Sequence, residues 1–328
     1  RRLLVEESDE PKYLQEPLNT VFRGYMAAIF LCLEHDPVWL EAQPPAWWQQ
    51  WATYVLREVR PSADEPDEPK HRLLRILHHR APAEMRAGFL ELMGLAAAEA
   101  RPRLNSLFRL FDTIVDSGLD EQLCERLLHD RILDDHVQDV AQFVLSRGMP
   151  ACLGTFLSWL SQDAVGEDLV ERVATALLLE RPTESFESVY AFLQQRPALA
   201  APVLANYASG NSLQARFENA PQAAQWLNPR RAGQLAALLL EACPPESEPA
   251  RGRRRVRRET DRLRDGLVSW LGEQRSLEAV EELRRLEKRF RDLYPWLRRS
   301  RARAERSYRL AQWTPIPLGS VAGLLAAG

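Results

Sequence analysis

The stretch LVERVATALLLERPTESFESVYAFL, residues 169–193, decides the fold of this chain. Apolar side chains recur in it every three or four residues, a spacing that places them on one face of an α-helix. They are Leu169, Val170, Val173, Leu177 and Leu178, followed by Phe186, Val189, Tyr190 and Leu193. Pro182 cannot continue a helix, and Thr183 is predicted to cap the next one. The stretch therefore predicts two amphipathic helices joined by a very short link.

The same periodicity, interrupted by Pro, Gly or Asp, runs through most of the chain, and we find no strand-like alternation. Further helices are predicted at 45–59, 70–80, 82–100, 102–116, 120–130, 135–146, 150–161, 198–207 and 232–242, the last after the start signal Asn228-Pro229. Short links make neighbouring helices antiparallel, and stacked pairs bury each other's apolar faces. The fold prediction is all-α: an irregular HEAT-like array of helical hairpins (an α-solenoid) with a C-terminal helical hairpin unit. An irregular helical globule is the alternative.

Two breaks in the periodicity suggest how the array is divided. One is rich in Pro, Asp and Glu, and the other in Pro and Glu. We predict N-terminal helices (1–60), an acidic Pro-rich loop (61–69), a helical repeat array (70–243), a linker (244–252), a basic C-terminal helical hairpin unit (253–312), and a Pro-rich exit with an apolar segment (313–328). Because Arg1 opens the sequence in place of methionine, we expect the chain to be a piece of a longer protein.

Composition narrows the class of protein. The 328 residues carry a net charge of −3, so bulk charge does not predict a nucleic-acid-binding protein. Four widely spaced cysteines fit free thiols in a reducing cytoplasm, where we place the protein. The longest interior apolar run, 25–33, is far shorter than the ~20 residues of a membrane-spanning helix. No membrane partner is predicted here, although the run at 318–328 leaves open whether an apolar segment continues beyond it.

Two groups of residues are candidates for partner binding. Trp47 and Trp51 lie four residues apart on one helix face, which suits either a partner groove or the core. The basic run 251–264 includes Arg253, Arg254, Arg255, Arg257 and Arg258. Such a run can grip phosphates, or it can be a solvated linker and helix start. A nucleic-acid-sensing module is thus an alternative function.

A metal site is the remaining chemical candidate. His129 and Asp130 precede Asp134, Asp135 and His136, and His35-Asp36 and His78-His79 could add ligands. Histidine with carboxylate suits a hydrolytic metal, so a helical metal-dependent phosphohydrolase is a further alternative. The competing interpretation is that the aspartates cap helices. No P-loop, Gly-x-Ser-x-Gly or His-Glu-x-x-His motif occurs in the sequence.

The C-terminal part carries a resemblance. A helix at 263–273, a turn at 274–276 and a helix at 277–286 are followed by Tyr294-Pro295-Trp296-Leu297, a charged stretch at 302–306 and Trp313-Thr314-Pro315-Ile316-Pro317. This order resembles the helical region that follows the nucleotide-binding module in bacterial NACHT-type STAND NTPases, over about 257–325. The resemblance implies a cytoplasmic signalling NTPase as the parent protein, often one of anti-phage defence. It implies that the helical array serves as sensor and autoinhibitory scaffold, with an effector fused elsewhere.

These observations together predict a helical sensor that is not itself an enzyme. The partners expected are a protein ligand and the parent chain's own NTPase domain. The nucleotide-binding module lies outside this sequence, so the resemblance assigns no catalytic residue, no metal and no cofactor to any position here.

Overall fold

The structure is a computed structural model. It describes residues 20–58, 68–98, 104–111, 114, 116–129, 136–148, 150–162, 165–210, 226–244 and 254–312. Within these residues every regular element is a helix and none is a strand. The predicted all-α class is confirmed. In the predicted loop at 61–69, residues 68 and 69 already belong to a helix, and residues 61–67 lie outside the described residues. Residues 245–252 of the predicted linker (244–252) and the predicted exit at 313–328 also lie outside them.

Sixteen α-helices are described, together with one short 3₁₀ turn, Pro197–Leu199. They are α1 (Thr20–His35), α2 (Pro37–Glu41), α3 (Pro45–Glu58), α4 (Glu68–Arg80), α5 (Pro82–Ala98), α6 (Leu104–Phe111), α7 (Ser117–His129), α8 (Val137–Ser146), α9 (Pro150–Trp159), α10 (Glu167–Glu180), α11 (Pro182–Gln195), α12 (Ala200–Gly210), α13 (Pro229–Ala242), α14 (Arg254–Glu273), α15 (Leu277–Phe290) and α16 (Leu297–Gln312).

The chain forms two compact units, residues 1–153 and 154–328. In the first unit α1 packs against α2, α3 and α4, and α5 packs against α3, α4 and α6. Helix α8 contacts α6 and α7. The core contains Trp48, Phe89 and Phe111, all fully buried. Phe89 lies 4.4 Å from Phe111 between ring centroids, so aromatic contacts join α5 to the end of α6.

Seven described helices of the second unit, α10 to α16, form two rows. Helices α10, α12, α14 and α16 contact one another in succession, and so do α11, α13 and α15. Each row also contacts the other, through pairs such as α10 with α11 and α15 with α16. Contacts between elements one and two places apart are the packing pattern of a helical-repeat array. The HEAT-like prediction is therefore confirmed as an all-α helical-repeat fold.

Helix starts follow local chemistry, with one correction. Asn228 caps α13 as predicted, because its side-chain oxygen accepts a hydrogen bond from the Arg231 amide at 2.9 Å. The predicted cap at Thr183 is wrong. Helix α11 begins at Pro182, directly after Arg181, and Thr183 already lies inside it. Proline is favoured at the first helical position because its missing N–H has no helical partner there, so α11 starts without a side-chain cap.

Other predicted bounds differ from those observed. The helix predicted at 102–116 ends at Phe111, and Asp116 instead caps α7 by accepting a hydrogen bond from the Leu119 amide. Helix α14 begins at Arg254, nine residues before the predicted 263. It also packs against α13, so the helices on either side of the predicted linker at 244–252 are in contact.

Gly88 allows α5 to approach α3 closely. A Cβ atom at this position would collide with Cδ1 of Leu56, which is almost fully buried. We therefore expect Gly88→Ala to lower the free energy of unfolding by about 1–3 kcal/mol, measured by urea denaturation. Gly94→Ala, in the same helix, is the matched control. Nothing lies within 4 Å of its new Cβ, so better helix propensity should stabilise the protein by up to about 1 kcal/mol. Equal effects of the two substitutions would contradict the close approach.

Candidate functional site

The tryptophan pair predicted to bind a partner belongs to a larger aromatic cluster in α3. Ring centroids lie 5.0 Å apart for Trp47 and Trp48, and 5.7 Å apart for Trp47 and Trp51. Trp51 also contacts Tyr25 of α1 at 5.4 Å and Tyr54 at 5.5 Å. Trp48 is fully buried and Trp51 is 7% exposed, whereas Trp47 is half-buried.

The two predicted contact residues therefore have different positions. Trp51 lies in the core, where its ring joins α1 to α3, and it offers little surface to a partner. Trp47 presents part of its ring to solvent, and the rings beneath it restrict its movement. Partner binding at this cluster stays a prediction, and the structure directs it to Trp47.

The basic run does not form one continuous surface. Arg253 lies outside the described residues, and Arg254 is helical, but its side chain is not described. Arg255 and Arg258 are exposed. Arg257 turns inward: it contacts Asp261 at 3.1 Å and donates a hydrogen bond to the Pro244 carbonyl at 2.9 Å. Nucleic-acid binding by this run stays a prediction, and it rests on fewer arginines than the sequence suggested.

A cleft of about 310 Å³ lies between α14 and α16. Arg264 lines it and is already engaged, because it contacts Asp261 at 2.7 Å and Asp265 at 2.9 Å. Its guanidinium also lies 5.9 Å from the centroid of Trp296, a cation–π distance. Arg303, at the same cleft, pairs with Glu273 at 3.0 Å. Both cations of the cleft are thus neutralised from within the protein.

The predicted metal ligands are only partly within the described residues. Asp130, Asp134 and Asp135 lie outside them. His129 is exposed at the end of α7, and His136 lies 4.0 Å from Asp139. His35 lies beside Glu34, and Asp36 caps α2 through the Trp39 amide. No group of three or more metal-binding side chains occurs in the part of the chain that the structure describes. The phosphohydrolase alternative therefore gains no support there.

Sequence reasoning missed a buried polar network on α7. Asp116, Asp120 and Cys124 recur every four residues and so face the same way, which is the signal that could have revealed it. Oδ1 of Asp120 lies 2.8 Å from Nε of Arg147, and both side chains are almost fully buried. Burial raises the pKa of Asp120 to about 6 even though Arg147 opposes the shift. Removal of either partner would leave a buried charge without compensation.

Neighbouring groups extend this network toward α4 and α9. Oδ2 of Asp116 lies 2.9 Å from Nε2 of His78 and 3.6 Å from Nε of Arg86. On the next turn the buried thiols of Cys124 and Cys152 interact with each other. This interaction, with burial, raises the pKa of Cys124, whereas the interaction with Cys124 lowers the pKa of Cys152. These contacts give the network a packing role, because they tie α7 to α4, α5 and α9.

Comparison with known protein families, with characterised proteins and with solved structures finds no match for this chain. The likeness of 257–325 to NACHT-type STAND NTPases therefore stays a prediction. Within the described ranges, no helix has the length and apolar character needed to cross a membrane.

The different burial of two adjacent tryptophans can be tested by stability. We expect Trp48→Ala to lower the free energy of unfolding by about 3–5 kcal/mol, because a large buried ring is lost. Trp47→Ala should cost well under half of that, since part of its ring already contacts water. Urea denaturation of both variants gives the comparison. Similar losses would show that Trp47 is a core residue and not a contact surface.

Asp120 makes stability depend on pH in a defined direction. Its pKa of about 6 exceeds the ordinary 3.8, so between these values the folded chain holds a proton that the unfolded chain has lost. The resulting stabilisation is complete below pH 3.8 and disappears as the pH rises through about 6. When the pH falls from about 8 to about 5, the unfolding free energy of the wild type should rise by about 1–2 kcal/mol relative to that of Asp120→Asn. A difference that does not vary with pH would contradict the shifted pKa.

Proposed function

We propose that this chain is the helical sensor and scaffold region of a larger bacterial signalling NTPase that takes part in anti-phage defence. It binds a protein ligand and, in the absence of that ligand, holds the attached NTPase and effector inactive. Support comes from the likeness of residues 257–325 to NACHT-type STAND NTPases and from the helical-repeat packing. The chain itself is not proposed to be an enzyme.

The observation that carries this proposal is the succession of contacts in the second unit. Among the described helices α10 to α16, each packs on helices one or two places away in their order. In such an array the helix faces that remain outside form an extended surface, which suits binding of a large partner. Small shifts at several interfaces can also add up, which suits a region that changes arrangement when its ligand binds.

The mechanism that follows is a shift of population. A ligand that binds one arrangement of the array more tightly than another stabilises the first arrangement. The change releases the attached NTPase, which then assembles and activates the effector. Coupling of this kind amounts to roughly 5- to 150-fold in affinity or activity.

Trp47 is the contact residue proposed within the first unit. Tryptophan is enriched among residues that dominate binding energy, because it supplies a large contact area at little cost in conformational entropy. The packing of Trp47 on Trp48 and Trp51 reduces that cost further.

The test uses the parent protein. We expect deletion of residues 1–149, which leaves all of α9 and the second unit in place, to raise basal NTP hydrolysis by about 5-fold or more and to promote oligomerisation. Hydrolysis is followed by phosphate release and assembly by light scattering. The matched control is the parent with Trp47→Ala, which should keep the basal rate, because it alters a contact surface and not the array. Unchanged hydrolysis and assembly after the deletion, or a parent that binds no nucleotide, would contradict the proposal.

A further inference from the structure

Charge is segregated along this chain. Residues 254–312 hold 18 of the 43 basic residues but only 10 of the 46 acidic ones, a net charge of +8 in a chain that totals −3. Most of that excess lies in one helix. In α15 four basic residues balance four acidic ones, whereas α16 has six arginines and the single acid Glu305. A local excess of this kind attracts anions even when the whole protein is nearly neutral.

Four of the six arginines share the outward face of α16. We call this set the arginine face: Arg298, Arg299, Arg306 and Arg309, all exposed. At 3.6 residues per turn the four positions fall within about 100° of arc, and they span about 16 Å along the axis. Leu297 and Ala304, on the opposite side, are fully buried. The helix therefore presents a row of guanidinium groups to solvent.

The acidic residues near the arginine face form ion pairs with arginines outside that face. Glu305 contacts Arg284 at 2.8 Å and Arg301 at 3.7 Å. Hydrogen bonding from Arg284 is the main reason that the pKa of Glu305 is lowered, and Arg309 adds a smaller effect. Glu273 is held by Arg303 at 3.0 Å. Among the described residues, Arg298, Arg299 and Arg306 are in contact with no carboxylate.

The start of α16 strengthens the positive potential. Arg298 and Arg299 lie in its first turn, which contains no acidic residue. The N-terminus of a helix already carries a partial positive charge, so arginine there is locally unfavourable for folding. A local cost that packing does not explain is typical of residues kept for binding. The helix is 16 residues long, so its dipole is well developed.

We propose that the arginine face binds the phosphate backbone of a nucleic-acid duplex without reading its sequence. This surface is separate from the 251–264 run, and the inference does not depend on the proposed signalling function. The planar guanidinium group of arginine can donate two parallel hydrogen bonds to a phosphate. Contacts to the phosphates position a protein on a duplex but carry no sequence information. In the described part of α16 this face has no aromatic residue for stacking on unpaired bases, which favours a duplex over a single strand.

Other partners fit this face less well. The centres of protein–protein interfaces are depleted in charge and enriched in aromatic residues, whereas the arginine face surrounds only Ala302 and has Leu310 at its edge. A helix that lies on a membrane inserts a broad apolar face into it. The apolar side of α16 is already buried against α14 and α15. A polyanion with regularly spaced phosphates suits the observed surface best.

The test measures fluorescence anisotropy of two labelled duplexes of unrelated sequence with the whole 328-residue chain, at several salt concentrations. The face variant carries Arg298→Gln, Arg299→Gln, Arg306→Gln and Arg309→Gln; glutamine keeps the length and the helix propensity but removes the charge. The control variant carries Arg230→Gln, Arg275→Gln, Lys288→Gln and Arg291→Gln, which lie outside both the arginine face and the 251–264 run. These four residues are also exposed, lie in the same unit and change the net charge equally. Circular dichroism and urea denaturation confirm that both variants fold.

We expect the wild type to bind both duplexes alike, with a slope of log affinity against log salt of about −3 to −4, as four phosphate contacts require. The face variant should lose at least about tenfold in affinity and most of that slope, while the control variant stays within about threefold. The proposal is overturned if the wild type does not bind or if both variants lose affinity equally, since net charge alone would then explain the binding. It is also overturned if a single strand binds more tightly, or if anionic vesicles bind with the same dependence on the face and duplexes do not.

Discussion

Each described helix carries apolar side chains that it cannot bury alone, and this constraint determines the rest of the structure. In α10 they include Val170, Val173 and Leu177, which are buried against α11 and α12. Each such side chain contributes about 1.5–3 kcal/mol when it leaves water, so no helix of the array is stable without its neighbours. The side chains on the inner faces of the helices must therefore stay apolar, whereas those on the outer faces can differ without loss of packing. Binding residues in a fold of this type are accordingly expected on outer faces, where substitution does not disturb the packing.

Local sequence chemistry predicted a large part of this fold, for physical reasons. The helices on either side of Pro182, and the start of α13 at Asn228, depend on periodicity and on residues within one turn, both of which are visible in the sequence. Contacts between distant residues were not predictable. Asp120 and Arg147 lie 2.8 Å apart although many residues separate them in the chain. The sequence around either residue does not predict the contact. The division at residue 153 likewise depends on which helices meet in space.

The candidate surfaces show the same limit. Trp47 and Trp51 lie on one side of α3, as the spacing predicted, and their ring centroids are 5.7 Å apart. It could not determine which of the two faces solvent, because that depends on Tyr25 from another helix. In the basic run, composition could not separate Arg257, which turns inward to Asp261, from Arg258, which remains exposed. Only three-dimensional packing distinguishes a charge used for cohesion from a charge available to a ligand.

Ion pairs between rows also fix how α16 is oriented. Arg301 contacts Glu287 of α15 at 2.8 Å, and Glu287 is 5% exposed. One turn later in α16, Glu305 forms an ion pair with Arg284 of α15. The site is exposed, so this single pair contributes little to stability. Together with the buried Leu297 and Ala304, these contacts resist rotation of α16 about its axis. A surface whose orientation is set before a ligand arrives loses less conformational entropy on binding. The ion pairs between the rows thus keep the remaining arginines of α16 facing solvent. The same contacts hold the array together and expose the arginine face.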